Sequence, residues 1–382
     1  MTAKDMRTDK IKAYLEEIQD KYKIPGGQVL IRKEHREIYS CCFGWSDYGW
    51  TKRTSKEDLY WLYSLTKLYT CTAVLKLAEQ GKLEIDQDAA SYLPELAAIR
   101  IKKTRRLPYR RLTVRHLLSM TAGFGYDTES QGLKRLRERD KGPENMREVI
   151  RTIADEGLDF SPGEHFQYSF CHDILGGIIE VVSGKKLPVY MEEEIFRPLG
   201  IKSLGFFPDS RQKKRIAAQY YMDRESGRMK AAGKDNLIRI GEGYASGGSG
   251  LLGTLEGYMV LPDALSCGGT AENGCQILKT ETIREMRRNQ LTRPELLQDF
   301  YNNFPSHKLE GYGYGLGVRT RIRDNGDSPP GEFGWDGAAG AFVLIDCKNK
   351  VSLGYIQHVK DCGPAYSEIH PHLRRMLYDL LQ

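Results

Sequence analysis

No stretch of this 382-residue chain approaches the ~18 consecutive apolar residues that carry a helix across a bilayer. A helical membrane span is therefore not expected. The opening residues Met1-Thr2-Ala3-Lys4-Asp5-Met6-Arg7 mix charges and lack the apolar centre of a secretory signal, so a cytoplasmic location is expected. Cysteine is sparse: eight residues and no C-x-x-C pair. That is far below the density of a disulfide scaffold, and reduced thiols are expected. No G-x-S-x-G is present, which leaves an α/β-hydrolase elbow without support. Charge is not strongly one-sided, with 57 Lys and Arg against 51 Asp and Glu. The small excess gathers between Arg100 and Arg111. That segment lacks the aromatic spacing for base stacking and reads as a solvated loop, so no nucleic-acid partner is expected. Internal repeats and low-complexity tracts are absent.

What remains is the composition of an ordinary folded protein, 40% hydrophobic and 28% charged, long enough for one large domain or two lobes. Ile11, Tyr14, Leu15, Ile18 and Tyr22 recur at helical spacing before Pro25-Gly26-Gly27. Two strand-like runs, 28–32 and 37–43, read as a hairpin. From about residue 54 the pattern turns helical, with Thr54 and Glu57 resembling a capping box. A long apolar helix is expected from Ser64 to Gln80, ended by Gly81. Further helices are expected near 113–121, 144–156, 171–183, 187–196, 254–265 and 280–290. Strands return at 312–320, 341–346 and 351–357, and residues 366–382 close the chain as an amphipathic helix. The expected fold is α/β of the α+β kind. An antiparallel sheet from both chain termini is flanked by helices, and a mostly helical lobe is inserted. The sheet lobe takes about 1–60 plus 305–382, and the helical lobe about 61–304, within a single domain 1–382.

Three short segments carry chemistry. Ser64-Leu65-Thr66-Lys67 is an S-x-x-K at the head of the long helix. One helical turn sets the hydroxyl beside the amine. An amine withdrawn from water holds its proton less tightly and can act as a base. Tyr168-Ser169-Phe170 lies on a loop before an apolar helix, where a phenol can relay a proton. Trp335-Asp336-Gly337-Ala338 opens a Gly-rich strand edge, where the backbone can approach a ligand and donate N–H groups to an oxyanion.

These motifs, in this order, resemble the serine β-lactamase and penicillin-binding protein family, in particular its class C-related, esterase-type branch. Gly81-Lys-Leu-Glu-Ile-Asp86, Leu112–Gly123 and Gly247–Thr254 extend the resemblance over nearly the whole chain. It implies a β-lactamase/transpeptidase-like fold and an acyl-serine intermediate. Ser64 would be the nucleophile, Lys67 its general base and Tyr168 the second proton-handling group. The backbone N–H groups of Ser64 and Ala338 would form the oxyanion hole. Phe170, Trp335, Asp336 and Gly337 would contact the substrate. Which of Lys67 and Tyr168 takes the serine proton stays open.

Two departures stand out. Penicillin-recognising members usually carry Asn where this chain has Phe170, and Lys or His where it has Trp335. Each replaced group is a polar anchor, and a charge-assisted hydrogen bond is worth about 1.5–3 kcal/mol. The resemblance then implies a carboxylesterase or acyltransferase acting on a neutral small-molecule ester. A β-lactamase or D-alanyl carboxypeptidase-like amidase is the second reading, with Arg319 or another cation as a replacement anchor. A poorly active, acylatable sensor domain is the third. No cofactor or metal is expected, since His165, His172, His370 and His372 lack a ligand set. Oligomeric state is not readable. Gly248-Ser-Gly-Leu-Leu-Gly253 fits G-x-G-x-x-G, but no βαβ unit frames it. A glycine loop before a helix capped by Thr254 is the better reading. The charged segment 134–141 reads as an exposed helix or insertion.

Overall fold

Alternating apolar residues at both ends of the chain build a seven-stranded sheet. The computed structural model describes residues 3–139, 145–223, 225–241, 243–324, 326 and 328–382. The strands are β1 (Gly26–Lys33), β2 (Arg36–Gly44), β3 (Tyr312–Tyr314), β4 (Arg319–Arg321), β5 (Phe333–Asp336), β6 (Phe342–Asp346) and β7 (Val351–Gln357). Their order is β2-β1-β7-β6-β5-β4-β3, and every pairing is antiparallel. The two chain ends meet where β1 pairs with β7, Val29 opposite Tyr355.

Period-two burial assigns the two faces. Val29, Ile31, Phe342, Leu344, Leu353 and Tyr355 pack under helices α1 (Ala3–Tyr22) and α5 (His370–Leu381). Leu30, Val343, Ile345 and Ile356 face the larger core on the other side. That core holds α2 (Thr66–Glu79), α3 (Cys171–Ser183) and α4 (Leu255–Ser266). Thr254 caps α4 as expected, its side chain accepting the Gly257 N–H at 3.1 Å. All eight cysteines are free thiols. Among the described residues no helix is long and apolar enough to cross a membrane.

Some expectations fail for tertiary reasons. Residues 54–62 are not helical: Tyr60–Trp61 forms a short strand paired with Leu252–Gly253. The buried Thr54 hydroxyl has no partner, and Asp58 instead accepts the Ser55 N–H. The run 312–320 divides into β3 and β4 around a Gly315–Gly317 turn, closed by Gly315 N–H to Val318 O at 2.8 Å. The middle region also holds strands the sequence did not signal. Gln219–Met222 pairs with Met229–Gly233 and, in parallel, with Val359–Lys360. The helices Ser210–Arg215 and Pro294–Asn303 were not foreseen. The charged segment 134–141 starts within the short helix Gln131–Arg137; Asp140 and Lys141 lie outside the described residues, as does residue 144.

Candidate active site

Ser64 sits in a single 3₁₀ turn, Tyr63–Leu65, that runs directly into α2. Tyr63 just before it has φ +46°, a left-handed conformation that costs a bulky residue about 1–3 kcal/mol. Burial of the ring and donation of its hydroxyl to Gln219 Oε1 hold it there. The Ser64 N–H comes too early in the helix to reach an intrahelical carbonyl, and no carbonyl among the described residues accepts it. It remains a free donor next to its own hydroxyl.

One turn on, Lys67 is fully buried, and its Nζ stands 3.2 Å from Ser64 Oγ. Tyr168, brought in on the loop before α3, donates its hydroxyl to Ser64 Oγ at 2.7 Å. Tyr168, 104 positions from Ser64, thus meets the local Ser64–Lys67 pair at one oxygen. Aromatic rings wall the group. Lys67 Nζ lies 4.7 Å from the centroid of Tyr168 and 5.6 Å from that of Tyr126. Trp335 stacks on Tyr168 at 5.6 Å and donates Nε1–H to its hydroxyl at 3.2 Å. Phe304 closes the edge of both rings. Asn303 Oδ1 accepts the Tyr168 backbone N–H at 3.1 Å and fixes the loop.

The glycine loop 247–250 has a role that the sequence reading did not assign. Lys67 Nζ donates to Gly248 O at 2.7 Å, Thr70 Oγ1 to Gly247 O at 2.7 Å, and Leu251 N–H to Thr66 Oγ1 at 3.1 Å. One face of α2 therefore carries the whole loop. A Cβ on Gly247 would stand 2.3 Å from His172 O, and one on Gly248 would stand 2.6 Å from Asp173 Oδ2. Only glycine lets the loop fit between α2 and α3. Gly247→Ala is expected to lower stability by about 1–3 kcal/mol through overpacking and to cut activity further by displacing the Lys67 acceptor. Urea unfolding and turnover of the folded fraction check both parts.

At the third motif, β5 ends against the turn that carries Ser64. A Cβ on Gly337 would lie 3.0 Å from Leu62 O. Ala338 packs in the same apolar cluster as Tyr63 and Trp61, and its N–H has no carbonyl acceptor among the described residues. Two unengaged N–H donors therefore belong to adjoining segments. Asp336 and Phe170 do not sit as the sequence reading supposed. Asp336 is 8% exposed and accepts from Arg319 Nη1 at 2.7 Å, with His307 and His370 nearby. Burial alone would raise its pKa; the Arg319 guanidinium and the two histidines outweigh that and hold it well below the carboxylate range. Its charge is committed inward. Phe170 is buried with its ring 4.8 Å from that of Tyr126, so it supports the aromatic wall from behind. Arg319, the suggested replacement anchor, is 1% exposed and lies between Asp336 and Glu332. It presents no cation to a substrate.

The Beta-lactamase family model matches residues 11–361. The chain belongs to the beta-lactamase family. It is 26% identical to esterase EstB of Burkholderia gladioli over 340 residues, covering 84% of this chain and 82% of EstB. It is 29% identical to the lovastatin esterase of Penicillium rubens over 332 residues, 79% of this chain and 80% of that enzyme. The fold matches EstCE1, described as a hydrolase with promiscuous acyltransferase activity, with a TM-score of 0.82 at 22% identity, covering 98% and 99% of the two chains.

In this beta-lactamase-family chain a cleft of about 950 Å³ opens beside Ala338 and Phe304, bounded by Lys21, Tyr22, His307 and Tyr366. That is the upper end of the size range for small-molecule sites. The histidines weighed as metal ligands are dispersed. His165 meets Asp299, His172 meets Cys71, His370 meets Gly340 O, and His372 stacks on Tyr14. A separate cluster that the sequence did not reveal joins His35, Asp263 and Cys267, with donor atoms within 4.8 Å of one another. His35 Nδ1 lies 2.8 Å from Asp263 Oδ2, and Arg32 Nε lies 3.6 Å from the same oxygen, so that carboxylate already has a cationic neighbour.

Proposed function

We propose that the protein is a serine esterase or acyltransferase that works through an acyl-Ser64 intermediate on neutral small-molecule esters. The observation that carries this reading is the convergence of Lys67 Nζ, at 3.2 Å, and Tyr168 Oη, at 2.7 Å, on Ser64 Oγ. Both lie within reach for proton transfer. Ser64 Oγ bonds to the ester carbonyl carbon while its proton passes to the Lys67–Tyr168 pair. The N–H groups of Ser64 and Ala338 receive the oxyanion, and one such donor is typically worth ~10²–10³ in rate. Collapse breaks the carbon–oxygen bond to the leaving alkoxide, which takes the proton back from the pair. Water or an acceptor alcohol then attacks the acyl-serine by the same steps, releasing acid or a new ester.

The preference for a neutral ester follows from the walls. Trp335 stands where a cation would hold a substrate carboxylate, and Arg319 behind it is already paired. The esterase relatives support the same choice. The family match makes β-lactam hydrolysis the second reading. Comparing kcat/KM for p-nitrophenyl butyrate and a chromogenic cephalosporin separates the two. The missing anchor predicts a preference for the ester of about 10²-fold. A faster cephalosporin reaction would move the assignment to a β-lactamase.

A further inference from the structure

A carboxylate lies buried behind Lys67, and the chemistry above leaves it unused. Asp173, on the first turn of α3, is 2% exposed. Its Oδ1 accepts from Ser246 Oγ at 2.6 Å and from Tyr244 Oη at 2.9 Å. Ser246 Oγ in turn accepts the N–H groups of Gly248, at 3.2 Å, and Ser249, at 2.9 Å. Gly248 O receives Lys67 Nζ. The path from carboxylate to ammonium is thus continuous and fully buried. The assembly also has no slack. The point where a Gly248 Cβ would stand is 2.6 Å from Asp173 Oδ2 and 3.5 Å from Lys67 Nζ.

Burial keeps four of the other groups facing Lys67, namely His172, Cys71, Cys171 and Tyr126, in their neutral forms. It holds His172 well below the usual histidine range and pushes up the thiols of Cys71 and Cys171, the latter to about 12. Tyr126 is a half-buried phenol with its pKa raised by desolvation, and Tyr168 and Ser64 complete the surroundings. Asp173 is the one carboxylate among these groups. Its own pKa is raised, because burial outweighs the lowering by the Ser246 hydrogen bond, the Lys67 charge, Tyr244 and the Gly248 N–H; the carboxylate form is the one those four partners favour.

We infer that Asp173 is a positioning residue for the Ser64 reaction. It holds the Ser246–Gly248 acceptor for Lys67 and stabilises the ammonium that forms when Lys67 takes the serine proton. The inference rests on the reading of Lys67 as a base. A negative charge behind the lysine favours its protonated form. A base must start as the free amine, so this reading gives kcat/KM an acid limb. Without the charge that limb lies at lower pH, and the weaker base works more slowly.

Asp173→Asn keeps the acceptor oxygen for Ser246 and Tyr244 and removes the charge. The experiment is p-nitrophenyl butyrate hydrolysis between about pH 5 and 10, with KM and kcat resolved. The expected result is an acid limb displaced to lower pH by about 1–2 units, a plateau about 10-fold lower in kcat, and KM unchanged. An unmoved limb in a folded variant would overturn the inference and leave Asp173 as packing alone. If the variant folds poorly, the first-order rate at which diethyl p-nitrophenyl phosphate labels Ser64 gives the same limb, because that rate does not depend on the folded fraction. Lys67→Met separates the two ideas. Wild-type activity in that variant would remove the base assignment itself. Its loss, together with an unmoved Asp173→Asn limb, would remove only the role of Asp173.

Discussion

Ser64→Ala is expected to lower kcat/KM for p-nitrophenyl butyrate by about 10⁴–10⁶-fold while leaving the melting temperature nearly unchanged. In the proposed mechanism nucleophile and base act as one unit, so the loss should be large. Without Oγ, the Lys67–Tyr168 pair has no proton to move, and only binding and the oxyanion donors remain. Stability should barely change, since Ser64 is a small side chain whose Oγ accepts two hydrogen bonds. Lys67 retains Gly248 O as a partner in the variant. Equal ester rates in wild type and variant would place the nucleophile elsewhere.

Asp336→Ala should have the largest effect on stability, a loss of about 3–5 kcal/mol in urea unfolding. Arg319 and Arg374 are buried around two carboxylates, Asp336 and Glu332. Removing one leaves two guanidinium groups facing a single carboxylate, with His307 and His370 beside them. Activity should fall as well, because Asp336 immediately precedes the Gly337–Ala338 turn. The pH dependence gives a second readout. The Asp336 carboxyl is depressed in the folded chain, so its contribution is fully present above the unfolded aspartate value of about 3.9 and drains away as pH falls through the folded value. Asp336→Asn should therefore flatten the acid side of the stability profile. A loss below about 1 kcal/mol would mean that the network relaxes around the missing charge.

The meeting of Ser64, Lys67 and Tyr168 was legible in the sequence because its parts are local. S-x-x-K needs only one helical turn, and Tyr168 and Trp335 announce themselves in short motifs. The terminal hairpins were legible for a similar reason, since their alternation matches a half-buried sheet. What escaped depends on contacts between distant segments. Gly248 O and Asp173 matter only because α2 and α3 clamp the same loop, and no spacing rule reports that. Thr54 and Glu57 had the letters of a capping box, but pairing of Tyr60–Trp61 with Leu252–Gly253 set the backbone instead. Gln219–Met222 is four residues long and gains its second neighbour from Val359–Lys360, some 140 positions away. Asp336 could be read as a charge near the substrate; its inward commitment to Arg319 becomes visible only once β4 lies beside β5.

The central claim is that Ser64 becomes acylated, and covalent labelling tests it most directly. Diethyl p-nitrophenyl phosphate should release one p-nitrophenolate per protein and leave a diethylphosphoryl group on the peptide that contains Ser64, with neither event in Ser64→Ala. A label on another residue, or an equal burst from the variant, would contradict the account.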